Sequence, residues 1–281
     1  MTHPKRRWHR GTAVVAVASV SGLAAFFYPF LLPVVATTAP AEQEARSGAA
    51  PFVLGHLVFL CLLAIVAELS APRLIRLGAP RAGTAKMVAL LGALVAVDAT
   101  LRLVPTLLGA SPIFLLILLT GATFGPSFGF IMGALTLLVS AFLTGGLGPW
   151  LPYQMLGAGW VGLTAGWLPT LPSPRRQLLL LAAFGALWGL VYGALLNLYA
   201  WPFASPGLQT SAGLYWSPGL SIRQAITHYV RFYLVTSLTY DLLRAIGNAV
   251  LVLTVGPPLL RILGRTRSRF AWEAGAVADQ P

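Results

Sequence analysis

Residues Gly121 to Met155 read GATFGPSFGFIMGALTLLVSAFLTGGLGPWLPYQM. Apolar residues run continuously on both sides of Gly125-Pro126-Ser127, with no period-two alternation, which selects helix over strand. The residues from 111 to 146 are too many for one crossing of ~30 Å of hydrocarbon, which takes about 20 residues. Gly-Pro-Ser is turn chemistry, so the sequence predicts a helical hairpin rather than one kinked helix. A second turn, Gly145-Gly146-Leu147-Gly148-Pro149, delivers Trp150, Tyr153 and Gln154 to the start of the next apolar run. Only helices or closed barrels satisfy their backbone in lipid. The expectation is an all-α, polytopic membrane helix bundle.

The rest of the chain repeats this theme. Of 281 residues, 57% are hydrophobic and 9% charged. Apolar segments lie at approximately 11–36, 52–70, 85–105, 111–125, 127–146, 152–170, 177–200 and 226–259. The net charge of +12 sits in short links between them. Lys5, Arg6, Arg7 and Arg10 precede the first segment; Arg73, Arg76, Arg81 and Lys86 lie before or at the start of the third; Arg175 and Arg176 precede the seventh; Arg261, Arg265, Arg267 and Arg269 follow the last. If all the segments span, every cluster falls on one side, which is the positive-inside pattern rather than a nucleic-acid patch. Both termini are then cytoplasmic in a multi-pass plasma-membrane protein, and the stretch 201–225 lies outside. The first segment could instead be a signal peptide cleaved near Ala39-Pro40-Ala41, although the run is long for one. Cys61 is alone, so no disulfide framework or metal spacing exists.

Small residues four apart let membrane helices approach closely. Gly125/Gly129/Gly133, Gly162/Gly166 and Gly185/Gly189/Gly193 read as internal packing, whereas Ala85, Ala89 and Ala93 follow a basic link where a partner could dock. Charges in hydrocarbon are costly and mark pairs or sites. Asp98 with Arg102, and Asp241 with Arg244, can each neutralise themselves along one helix face; Arg102 can alternatively snorkel or meet an anionic group. Glu68 and His56 read as local features. Trp150, Tyr153, Gln154, Asn197, Tyr199, Trp201, Tyr215, Trp216, His228 and Tyr229 gather at the same ends of their segments. An interfacial aromatic belt and a ligand pocket both fit that set. No nucleotide-binding loop, G-x-S-x-G, H-E-x-x-H or D-D-x-x-D run occurs, so no catalytic residue, cofactor or metal site is expected.

Four stretches carry a family likeness. AKMVALLGALVA, GATFGPSFGFIMGALTLLVSAF, GLGPWLPYQMLGAGWVGLTAG and SLTYDLLRAIGNAVLVLTVGPPLLRILGR together resemble the substrate-binding S component of energy-coupling factor (ECF) vitamin transporters. The third is similar to the G-P-W-x-P-[FYW]-Q-M signature of the subgroup associated with cobalamin or thiamin-precursor uptake. The resemblance implies a six-helix substrate-binding core at 81–265, after an N-terminal extension at 1–80 with two transmembrane helices and before a cytoplasmic tail at 266–281. It implies a substrate-capture subunit of an ABC importer, not an enzyme, that binds a vitamin-like small molecule from outside. A transmembrane T subunit, docked on Ala85, Ala89 and Ala93, and two cytoplasmic ATPases would drive transport. The ligand would sit on the extracellular half against Trp150, Tyr153, Gln154, Arg102, Asn197, Trp201 and Tyr229. The alternatives are an integral-membrane enzyme acting on lipid or isoprenoid substrates, or a stand-alone secondary carrier.

Overall fold

The computed structural model describes residues 10–35, 56–65, 81–104, 111–203, 213–217 and 219–278. The expectations for Glu68, for the links before residue 10 and around 73–76, and for the cleavage site near 39–41 lie outside the described residues, as does the side chain of Ala85. Helices follow in the order α1 (Arg10–Val35), α2 (His56–Ile65), α3 (Arg81–Leu101), α4 (Ile113–Phe124), α5 (Pro126–Thr144), α6 (Leu151–Ala165), α7 (Pro174–Ala200), α8 (Ile222–Thr236), α9 (Leu238–Thr254) and α10 (Gly256–Ala278), with a 3₁₀ turn at Trp201–Phe203. Among the described residues, two helices are long and apolar enough to cross a membrane, Pro126–Thr144 and Pro174–Ala200. Leu238–Thr254 and Gly256–Arg269, bent through 62° at their break, reach that length and apolarity only when taken together. The chain is the helical membrane bundle that its hydropathy predicts.

The hairpin forms where the sequence places it. Gly125 takes φ 101°, a conformation that only glycine adopts without strain, while its N–H still closes on Gly121 O. Pro126 then occupies the first turn of α5, where its missing N–H costs nothing. At the far end Gly145 (φ 64°) caps α5 in the left-handed conformation, and the N–H groups of Gly145 and Gly146 both reach Ala141 O.

Glycine sets the helix crossings. A Cβ on Gly162 would land on the Gly129 carbonyl, and one on Gly133 would land on the Ala158 carbonyl, so α5 and α6 touch backbone to backbone. Gly185, Gly189 and Gly193 of α7 receive Asn248, Ala245 and Asp241 of α9 in antiparallel register. Asn248 Nδ2 donates to Gly185 O at 2.9 Å. Without a hydrophobic drive between helices in lipid, such contacts and interhelical hydrogen bonds supply the cohesion. α4 lies at the centre, buried from Ile113 to Gly121 and packed by α5, α6, α7, α9 and α10.

Two features differ from the sequence expectation. The apolar run 226–259 is not one helix: it breaks at Ser237 and again at Val255. Gly256-Pro257-Pro258 explains the second break, since Pro257 disfavours helical backbone at the residue before it and two prolines remove two donors. The other difference concerns Asp98 and Arg102, which do not pair. Asp98 Oδ2 accepts from Thr136 Oγ1 at 2.9 Å, whereas Arg102 Nη1 donates to Ser140 Oγ at 3.0 Å. Thr136 and Ser140 are also four apart, so two consecutive turns of α5 intercept two consecutive turns of α3. The expected Asp241–Arg244 pair does form.

Candidate functional site

The end of the bundle opposite the Gly125-Pro126 turn gathers most of the sequence-selected polar and aromatic residues. It has two parts, a polar knot at the ends of α3, α5 and α6, and an aromatic layer beside it.

Arg102, just past the last turn of α3, centres the knot. Its Nη1 reaches Ser140 Oγ and its Nη2 reaches Gln154 Oε1 at 3.3 Å. Ser140 can accept because its own hydroxyl hydrogen goes to Leu137 O at 3.1 Å. Gln154 is held by its helix: Pro152 stands in the first turn of α6, and Gln154 N–H closes on Trp150 O at 3.0 Å. Its carbonyl oxygen accepts a long hydrogen bond, 3.5 Å, from Tyr192 OH of α7. The Tyr192 ring meets Phe114 edge-on at 4.9 Å, and the Arg244 guanidinium lies 5.7 Å from its centroid, within cation–π range. Arg244 also donates to Asp241 and, at 3.3 Å, to Gly189 O. Side chains from α3, α5, α6, α7 and α9 are thereby joined through Arg102, Gln154 and Tyr192.

Tyr153 starts the aromatic layer. It is fully buried, stacks on Tyr199 at 3.8 Å and 24°, and meets Phe26 of α1 edge-on at 4.8 Å. Phe26 also lies 5.9 Å from Trp160, whose indole N–H donates to Ser19 Oγ at 2.9 Å. Phe30, one turn further along α1, contacts both Trp201 (5.9 Å) and Trp216 (5.7 Å). Trp201 is buried, donates its indole N–H to Leu214 O at 2.9 Å, and meets Tyr229 edge-on at 5.2 Å. Tyr229 OH donates to Ala194 O, and His228 Nδ1 contacts Tyr215 O at 3.1 Å. Asn197 is half-buried one turn before Trp201, and its backbone oxygen accepts the Trp201 N–H.

Of the sequence-selected ligand residues, Arg102 and Gln154 meet directly, and Tyr153, Trp201 and Tyr229 share the aromatic layer. Trp150 stands apart. It is 46% exposed, its indole N–H donates to Gly146 O at 3.1 Å, and its ring lies over Gly148 within its own turn. Sequence reasoning missed Ser140, Tyr192, Phe26 and Phe30. Tyr192 had a signal, since it lies seven residues before Tyr199 and so on one helix face with it. Phe26 and Phe30 had none, because nothing in α1 says which helix it will meet.

The Ala85/Ala89/Ala93 stripe lies away from both parts. α3 buries Met87, Leu91 and Val95, while Ala89, Ala93 and Ala96 are exposed and a Cβ on Gly92 would meet nothing within 4 Å. Among the described residues, no three His, Cys, Asp or Glu side chains converge as a metal site.

A family model described as ECF transporter, substrate-specific component, matches residues 86–256, more than half of the chain. The match begins within α3, ends at the first residue of α10 and leaves α1 and α2 outside. Neither the curated proteins nor the solved structures yield a match.

Proposed function

The chain belongs to the ECF transporter substrate-specific component family, and we propose that within it the chain captures a vitamin-like small molecule from the extracellular side. Members of that family are membrane transport subunits that associate with T and ATPase components, which sets the enzyme and secondary-carrier readings aside. The finer reading, ligand and position, rests chiefly on one observation. Arg102, Ser140, Gln154 and Tyr192, from four different helices, are tied into one hydrogen-bonded knot at one end of the bundle. A binding site needs a few polar groups held in fixed positions among apolar walls. Here the polar groups are the knot and the walls are Phe114, Tyr153, Tyr199 and Trp201. Asn197 and Tyr229 complete the set beside Trp201, whereas Trp150 keeps to its own turn, apart from them. The positive-inside rule puts this end outside.

The open stripe on α3 is the proposed T-subunit dock. Gly129, Gly133, Gly162, Gly185, Gly189 and Gly193 spend their smallness on partners within the chain, whereas Ala89 and Ala93 remain uncovered. Their uncovered small side chains would let a second helix approach closely.

Thermal unfolding of the purified full chain across a panel of vitamins, with cobalamin, thiamin and thiamin precursors among them, tests the capture reading. A ligand at one hundred times its Kd stabilises the folded state by about 2.7 kcal/mol. One compound should raise the midpoint selectively; a panel without any selective shift would overturn the reading.

A further inference from the structure

Arg102 is a partly buried cation that has no counter-charge against it among the described residues. Both of its described partners, Ser140 and Gln154, are neutral acceptors. Asp98, one turn earlier on the same face, is fully buried and bound to Thr136. Asp241 is taken by Arg244, whose guanidinium is occupied twice, by that carboxylate and by Gly189 O. A guanidinium has five N–H donors in a rigid fork that matches a carboxylate, and Ser140 and Gln154 use two of them. A charge drawn partly out of water is costly unless paired. The knot therefore holds one oriented cation, with donors unspent, linked through Gln154 to Tyr192, whose ring meets Phe114.

We propose, building on the capture reading above, that Arg102 is the subsite for a single carboxylate on the captured molecule, whose flat or apolar body lies against the aromatic layer. Ser140 and Gln154 fix the guanidinium so that its remaining N–H groups meet the two oxygens as a fork, the stronger and more directional form of this pairing. The site takes one anionic group and not several, because the second guanidinium nearby is already neutralised by Asp241. The knot itself therefore offers no second free guanidinium to a diphosphate or other polyanion. Anionic oxygens could also come from a lipid headgroup, since arginine at a helix end can snorkel to phosphate. The two sources separate in experiment.

The test uses the wild-type full chain in nanodiscs of zwitterionic lipid and follows phenylglyoxal modification of Arg102 by peptide mass spectrometry. Benzoate is the probe, benzamide its uncharged match and Arg265, exposed on α10, the internal control. Benzoate should slow modification of Arg102 about threefold or more, the factor reached when free ligand is twice its Kd. Benzamide at equal concentration and ionic strength should not, and Arg265 should be unaffected. Equal protection by benzamide, or none by benzoate, would overturn the subsite. Protection that appears only in nanodiscs containing phosphatidylglycerol, with or without benzoate, would assign Arg102 to a headgroup and likewise overturn it. The vitamin panel tells the two proposals apart. A neutral vitamin that stabilises wild type and Arg102→Gln alike upholds capture and sinks the carboxylate subsite. Benzoate protection without any selective vitamin does the reverse.

Discussion

At Gly162 the crossing of α5 and α6 leaves no room for a side chain, because a Cβ would sit on the Gly129 carbonyl, which is backbone and cannot rotate away. Gly162→Ala should therefore lower stability by about 1–3 kcal/mol or more, the usual cost of overpacking. Gly264→Ala on α10, where a Cβ meets nothing within 4 Å, should be neutral or slightly stabilising through helix propensity. Thermal midpoints of the two variants in detergent check the contrast, and equal midpoints would contradict the packing. Four-residue spacing of glycines was readable as internal contact without knowing the partner helix. The Asp98 and Arg102 spacing was equally visible and yet misleading. Spacing on one helix shows that two side chains can meet, but Thr136 and Ser140 arrive from α5 and take one each. Only the register of α3 beside α5 decides that, and apolar pattern does not encode it.

Among the elements, α1 and α3 make opposite use of their surfaces. α1 presses Phe26 on Tyr153 and Trp160 and Phe30 on Trp201 and Trp216, so it covers the aromatic layer from the side. Phe26→Ala should uncover Tyr153, which is fully buried. Nitration of Tyr153 by tetranitromethane should then rise severalfold over wild type in the folded protein, on the order of the accessibility that local opening adds. Unchanged nitration would show that the core alone shields the ring. α3 leaves Ala89 and Ala93 exposed on the face opposite Met87 and Leu91. Ala89→Trp should abolish co-purification with the T subunit while the vitamin-induced thermal shift persists, since bulk blocks close helix approach. Normal co-purification would move the dock elsewhere. The last apolar run shows where element reading fell short. Its length gave one helix, and although Gly256-Pro257-Pro258 carried a readable break, the break at Ser237 had no comparable mark. Thr236 back-bonds to Phe232 O at 2.7 Å and contacts Ser237 Oγ, a local alternative to continuing the ladder.

For the whole molecule, hydropathy and charge were enough to give an all-helical membrane bundle, because both are set by composition along the chain. The knot and the aromatic layer were legible only in part: Arg102, Tyr153, Gln154, Trp201 and Tyr229 stand out as polar or amphipathic groups at segment ends. Ser140 and Tyr192 lie inside apolar runs, where their partners come from other helices. The sidedness proposed from the basic links can be measured. In a Cys61→Ala background, an impermeant maleimide applied to cells should modify Ser217→Cys and spare Arg175→Cys, both of them exposed positions. The opposite pattern would invert the bundle and place the proposed site inside.

Capture at the Arg102 end is the central claim, and equilibrium binding of the stabilising vitamin to wild type and Gln154→Ala tests it most directly. Gln154 joins Arg102 to Tyr192 through its side chain and backbone. Its truncation should weaken binding about tenfold or more, the loss of a contact on the order of 1–3 kcal/mol, with the protein still folded. Equal affinity in the two proteins would contradict the account and move the site away from this end.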